Sequence, residues 1–339
     1  MMQRSLGDVV SELVVASGQM KAIMGLIDKV ARFDVPVLIT GETGTGKELL
    51  ARIIHQKSER RALPFLALNC GTLSGDLFAD KLFGHEPGSF TGALRQVRGC
   101  FELASGGTLF LDEVSEISLS NQVDFLRVLE DGRYRRIGGE RFLVTDARII
   151  AATNKDLALE VKEMRFRRDL YYRLQVIPIH VPPLRERREA IPKLIDYFAS
   201  QFAEKYHKHE ITFHPKAVEL LVNYDWPGNV RQLKNFIERT LIVCTGRQVS
   251  PKDFPPDFHD ALSLPAHSCG PEAAASSPGP LKSLDEVRIE AERRAIIEAL
   301  TRTAGGREKA AALLKISPRT LRQKMSLYGI RFARGRPVA

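Results

Sequence analysis

The chain has 339 residues, 44% of them hydrophobic and 27% charged; that is room for two or three domains and excludes a low-complexity or collagen-like chain. No apolar run reaches the ~18 residues of a membrane span, and "MMQRSLGDVVSEL" lacks a signal peptide's apolar core, so the expectation is a cytoplasmic protein with no membrane partner. Of the net charge of +9, residues 281–339 hold +8 and the rest +1, which places a basic, nucleic-acid-binding module on a near-neutral body.

Residues 1–12 read as a short N-terminal extension. From 13 to 185, strand-like runs ("VPVLIT", "PFLALNC", "GTLFLDE", "ARIIAATN", "QVIPIHV") alternate with helical patterns. That alternation predicts an α/β subdomain, a parallel sheet flanked by helices. "GETGTGKE" follows the first run and fits the phosphate-binding pattern G-x-x-x-x-G-K-[ST] except that Glu48 replaces the hydroxyl. The backbone of Gly41, Glu42, Thr43, Gly44, Thr45 and Gly46, with the dipole of the helix after it, can cradle a polyphosphate, and Lys47 can reach its outer phosphates.

"GGTLFLDE" is an apolar strand ending in two carboxylates. Phosphoryl transfer needs a metal on the phosphates and a group that orients the attacking water, so Asp112 suits Mg2+ and Glu113 the water. "ARIIAATN" ends on Thr153 and Asn154, a second polar strand end able to sense the γ-phosphate of ATP. Residues 186–254 show helical patterns only and form an all-α subdomain. Residues 255–283, with six prolines among Ala, Ser and Gly, are a linker by composition. Cys70, Cys100, Cys244 and Cys269 are too scattered for a disulfide framework or a zinc site.

Residues 284–339 form the basic module. "GREKAAALLKISPRTLRQKMSLYGI" reads as two short helices around a tight turn, with Ser317 as N-cap and Pro318 in the first turn of the second. Leu321 and Met325 face inward there. Arg319, Thr320, Arg322, Gln323 and Lys324 are left partly outward, which is helix-turn-helix chemistry for the bases and phosphates of double-stranded DNA.

Together "GETGTGKELLARIIH", "LFGHEPGSFTGA", "GGTLFLDEV", "RIIAATNKDL", "FRRDLYYRL", "PPLRERREAIP" and "WPGNVRQLKN" resemble, in order, the AAA+ activators of sigma-54-dependent transcription, the bacterial enhancer-binding proteins of the NtrC family. The resemblance implies an AAA+ sheet, a helical lid over 186–254 and a Fis-type DNA-binding domain. In that family Glu is usual after the P-loop Lys, which accounts for Glu48 and leaves Mg2+ to Asp112, phosphate oxygens and water. Asn69 matches the residue that holds Glu113 idle. Arg167 and Arg173 match arginine fingers that reach a neighbour's ATP, with Arg168 a positional rival, and Arg231 matches the second sensor. Fingers acting in trans imply a ring, expected to be a hexamer built up from dimers.

The loop Gly88, Ser89, Phe90, Thr91, Gly92, Ala93 matches the family's Gly-Ala-Phe-Thr-Gly-Ala, which grips sigma-54; Ser89 departs from the usual Ala and adds a hydroxyl. "DGRYRRIGGE", Asp131 to Glu140, resembles the second pore-side loop, and His85 is structural and binds no metal. The implied function is ATP-driven remodelling of sigma-54 RNA polymerase holoenzyme from enhancer DNA. Two other classes are a DNA-binding repressor that keeps the AAA+ domain without acting through sigma-54, and a AAA+ helicase or unfoldase; the first is opposed by the nearly intact loop, the second by the loop and the Fis-like end. The early start of the AAA+ pattern resembles the phage-shock and Hrp-type members, which lack a sensory domain in cis, and the expectation is an intrinsically active ATPase restrained by a separate partner protein or by its own abundance.

Overall fold

The structure, a computed structural model, describes residues 17–72, 75–209, 211–244, 246–255 and 258, and in the last part of the chain 292, 296, 299, 300, 303, 306–314, 316–328, 331–333 and 336–338. The expected N-terminal extension, the expected linker apart from residues 255 and 258, and Cys269 lie outside the described residues. Two compact units result, Met1–Leu264 and Pro265–Ala339.

In the first unit five strands, β1 (Val37–Thr40), β2 (Phe65–Asn69), β3 (Thr108–Asp112), β4 (Arg148–Thr153) and β5 (Ile177–His180), form one sheet in the order β2-β3-β4-β1-β5. Every neighbouring pair is parallel, as the alternating pattern implies. Successive side chains serve opposite faces. Leu38, Leu109, Leu111, Ile149 and Ala151 enter one core, while Val37, Ile39, Phe110, Ile150, Ala152 and Ile179 enter the other. The second core is closed by α1 (Gly18–Val30) through Met20, Met24 and Ile27, and by α2 (Lys47–Gln56) through Leu50, Ile53 and Ile54. Each fully buried Leu or Ile contributes roughly 1.5–3 kcal/mol. The first core is closed in part by α3 (Leu119–Asp131) and α4 (Arg168–Leu174), through Phe125, Leu126, Leu170 and Leu174.

Parallel register brings the C-terminal strand ends into line. Thr40 pairs with Thr153 and His180, and Asn69 with Asp112. Ligands of open α/β sheets bind at this edge.

The all-α part consists chiefly of α5 (Ile191–Lys205), α6 (Pro215–Asn223) and α7 (Asn229–Val243). Ile191, Leu194, Ile195, Phe198 and Phe202 of α5 and Leu233, Phe236, Ile237 and Leu241 of α7 recur at helical spacing and share one core. Its centre is Trp226, fully buried, whose indole N–H donates to Leu221 O at 2.7 Å. Phe254 and Phe258 pack into the same core, so this packing continues past residue 254.

In the second unit α8 (Arg307–Leu313) and α9 (Pro318–Leu327) pack Ala310, Ala311, Leu321 and Met325 against Ile296, Ala299 and Leu300. Ser317 caps α9 as expected, its hydroxyl accepting from the Thr320 N–H at 3.0 Å. Arg331–Ala333 and Arg336–Val338 form an antiparallel pair that the sequence reading does not contain. Among the described residues no helix is long and apolar enough to cross a membrane.

Candidate nucleotide site and the loops around it

The P-loop leaves β1 at the aligned sheet edge and feeds α2, as its motif requires. Gly44 has φ +81°, and a Cβ there would lie 2.4 Å from Gly228 O; no side chain fits where the lid comes down on the loop. Lys47 is buried, and its Nζ donates to Gly41 O at 2.7 Å and Glu42 O at 3.1 Å. Burial pushes its ammonium below the usual value of 10.5, against the pull of Asp112 and Glu113. Thr45 closes the loop by donating its hydroxyl to Glu42 O at 2.8 Å. Glu48, on the first turn of α2, faces the same cleft and pairs with Arg52 at 2.7 Å.

Asp112 ends β3, and its Oδ1 accepts the Glu113 N–H at 3.0 Å. Burial raises its carboxyl above the usual 3.8, with the Lys47 charge opposing. Glu113 sits in the left-handed region at φ +56°. Its carboxylate lies over Gly71, where a Cβ would collide with Glu113 Oε2 and stand 3.4 Å from Asn69 Oδ1. Asn69 is therefore beside the carboxylate, as expected, but its Oδ1 accepts from the N–H groups of Gly71 at 2.9 Å and Thr72 at 3.1 Å. In this conformation it shapes the turn; no Asn69–Glu113 hydrogen bond is formed.

The expected sensor pair divides. Asn154 Nδ2 donates to Thr43 Oγ1 at 3.2 Å, on the P-loop. Thr153 is fully buried and donates to Ser115 Oγ at 3.1 Å. It turns into the body rather than the cleft, because the parallel partner beside β4 ends in the Val114–Glu116 turn.

Arg231 and one cleft wall come from α7. Lys234, Asn235 and Glu238 line that wall too, one and two helical turns further on, and spacing from Arg231 was the signal that could have found them. Sequence reading also missed an adjoining, largely apolar cavity of about 210 Å³ between α2 and the lid, lined among others by Met20, Leu49, Leu194, Tyr197 and Phe198. The two cavities share Gly46, Leu49, Val230 and Lys234. Arg187 borders the apolar one and donates to Thr45 O at 2.8 Å; burial lowers its guanidinium to about 10.

Arg167, Arg168 and Arg173 do not line this cleft. Arg167 pairs with Asp169 at 2.6 Å, Arg168 lies over the Tyr172 ring at 5.7 Å, and Arg173 donates to Leu129 O at 2.8 Å.

The Gly88–Ala93 loop is a tight turn, with the Gly88 N–H donating to Ala93 O at 2.8 Å and φ of +80° and +100° at Gly88 and Gly92. Phe90 is 46% exposed with its ring edge-on to His85, centroids 4.9 Å apart. Thr91 is exposed, and Leu94 beside the loop is 93% exposed. The Ser89 hydroxyl is buried without a partner against Gly138 of the second loop; it does not stand beside Phe90 and Thr91 on the outer side. Backbone bonds Glu86 N–H to Ile137 O (3.0 Å) and Ile137 N–H to Gly84 O (2.9 Å) join the two loops. His85 Nδ1 pairs with Asp80 at 2.5 Å, and among the described residues no three or more His, Cys, Asp or Glu side chains cluster as an all-protein metal site.

On α9, Arg319, Arg322 and Gln323 are exposed, and Thr320 is half-buried at the cap. Lys324 is partly outward, its side chain 29% exposed, and its ammonium pairs with Glu292.

Residues 13–180 match the Sigma-54 interaction domain, 185–268 the AAA+ ATPase lid domain and 288–328 the Bacterial regulatory protein, Fis family. The chain is 43% identical over 316 residues to the transcriptional regulatory protein ZraR of Escherichia coli K12, covering 93% of this chain and 68% of that one. It is 41% identical over 320 residues to the response regulator PilR of Pseudomonas aeruginosa, covering 94% and 70%. Its structure is similar to that of NtrX from Brucella abortus in complex with ATP, with a TM-score of 0.70 and 33% identity over 93% of this chain and 68% of that chain. The chain belongs to the sigma-54-dependent enhancer-binding activators, nucleotide-binding AAA+ proteins with a lid and a Fis-type helix-turn-helix.

Proposed function

We propose that this chain hydrolyses ATP in the cleft between the P-loop, Asp112, Glu113 and α7, and uses the cycle to drive the Phe90–Thr91 loop against sigma-54 holoenzyme. The observation that carries the coupling is that this loop stands exposed outside the cleft while its base is bonded to a second loop of the same body. Lys47, Arg52, Arg231 and Lys234 supply the positive charge a polyphosphate needs, and the apolar cavity beside Leu49 and Tyr197 suits the base.

Asp112, a hard oxygen donor fixed at a strand end, fits Mg2+, which when bound neutralises charge between phosphate oxygens. Glu113 orients the attacking water. Arg167 and Arg173 serve a neighbour's cleft in a hexamer, and Arg319, Arg322 and Gln323 meet enhancer DNA. The proposed division is an α/β ATPase part over 13–185, a lid from 186, and a DNA-binding domain over 284–339.

Open-complex formation by purified sigma-54 holoenzyme on an enhancer-bearing promoter tests the reading. Open complexes that need both this protein and hydrolysable ATP are the expected result; ATP turnover with no effect on the promoter would overturn it.

A further inference from the structure

The turn "DWPGNV", Asp225 to Val230, joins α6 to α7 and holds two non-glycine residues in the left-handed region, Trp226 at φ +50° and Asn229 at φ +53°. Asn tolerates that conformation better than most side chains, but its place here is decided by its amide. Asn229 is fully buried. Its Oδ1 accepts from the Leu184 N–H at 2.7 Å, in the segment that leads from the sheet into the lid. Its Nδ2 donates to Glu42 Oε2 at 3.0 Å and to Thr43 O at 3.1 Å, both on the P-loop.

Glu42 is in turn gripped by both terminal nitrogens of Arg185, at 2.6 and 2.9 Å. Two residues beyond Asn229, the Arg231 N–H reaches Gly44 O at 3.3 Å. One side chain therefore joins three segments: the P-loop, the entry to the lid, and the first turn of the helix that carries Arg231.

A buried amide with its acceptor and both donors engaged has one low-energy placement. The lid cannot swing on the P-loop without breaking these bonds, and a shift of Thr43 or Gly44 on polyphosphate binding is delivered to the start of α7. We propose that Asn229 is a positioning residue that couples the P-loop to the lid and holds Arg231 over the nucleotide. The proposal rests on the ATPase reading above. Aspartate would turn an acceptor toward Glu42 Oε2 and Thr43 O, and serine would be too short to span the three segments.

The test is Asn229→Asp, which keeps the shape and the tolerance of φ +53°, in the full chain, with thermal melting as the check on folding. The expected result is ATP binding weakened about tenfold or more, which corresponds to ~1.4 kcal/mol or more, with a lower kcat. Adding Glu42→Gln should recover much of that affinity, because the introduced amide donates to the introduced carboxylate while its oxygen still accepts from Arg185. In an Arg231→Ala background the same Asn229→Asp change should cost much less, since its effect on Arg231 is already lost. Wild-type ATP affinity and turnover in Asn229→Asp would overturn the proposal. So would a folded variant whose loss is unrelieved by Glu42→Gln and undiminished without Arg231, for then Asn229 only forms a turn. A wild-type chain that binds ATP without hydrolysing it would overturn the ATPase reading instead, with the binding constants still deciding on Asn229.

Discussion

Glu113 is held at φ +56° where β3 passes into the Val114–Glu116 turn, a conformation that costs a non-glycine residue roughly 1–3 kcal/mol and persists only where the surroundings enforce it. The kink carries its carboxylate across Gly71 toward Asn69, while Asp112 stays beside Lys47. Two adjacent acids thus stand in different places, as the two proposed tasks require. Lys47→Ala should abolish ATP binding in an equilibrium titration, because it removes the one buried cation of the loop. Glu113→Gln keeps the shape and should bind ATP normally while turnover falls by ~10²–10⁴, the usual worth of a positioned base; ordinary turnover would take Glu113 out of that role. Thr91 touches neither group, so Thr91→Ala should retain ATPase and lose open-complex formation, and a parallel loss of both would make the loop structural.

At the scale of elements, the turn before α4 carries Arg167, the finger proposed above, and it is pinned by two side chains from outside α4. Gln122 of α3 is fully buried; it donates to Ile117 O at 2.8 Å and Arg165 O at 3.1 Å, and accepts from the Arg167 N–H at 2.8 Å. It bonds the end of the turn after Glu113 directly to Arg167. Gln122→Leu would leave three backbone groups unpaired, so melting should report a loss of about 1–3 kcal/mol or more, and ATPase should fall further than ATP binding. Glu160 grips Arg165 through both oxygens at 2.8 Å, and that bond holds its carboxyl below the usual 4.5. Because its folded pKa is lowered, this stabilisation is present above pH ~4.5 and lost as pH falls through the folded value. Arg165→Gln should therefore flatten the acid side of a melting-temperature profile below about pH 5 while changing little of its shape at neutral pH; an unchanged acid limb would show the pair to be inert.

For the whole molecule, the separation of Arg167 and Arg173 from their own cleft bears on assembly. If the fingers act in trans, Lys47→Ala contributes intact fingers and Arg167→Ala an intact cleft. Mixing these two inactive proteins should restore ATPase in proportion to mixed neighbours, and a mixture as silent as its parts would refute trans action. Activity per chain should also rise with protein concentration as rings form. In the second unit, Arg322→Ala should weaken enhancer binding and reduce its salt slope by about one if it meets a phosphate, or cost ~1–3 kcal/mol at a single base if it reads an edge. ATPase should not change in either case.

The P-loop, the acid pair and the parallel sheet were legible in the sequence, because glycine placement, a carboxylate pair at a strand's end and apolar runs between helices are local or periodic consequences of backbone geometry. The cap at Ser317 and the inward Leu321 and Met325 were legible for the same reason. What local pattern could not settle was which way each polar side chain turned once the elements packed. Thr153 is drawn inward by Ser115, Asn69 by the turn at Gly71 and Lys324 by Glu292, each partner lying on a different element or across a turn, while the Ser89 hydroxyl is packed against Gly138 without a hydrogen bond. The cavity of Leu49, Leu194, Tyr197 and Phe198 is likewise absent from any one stretch. By itself the sequence determined the elements and the chemistry available, since both follow from short-range spacing; the partners of Asn229, Gln122 and Thr153 were decided only when tertiary packing buried polar groups that must find hydrogen bonds far along the chain.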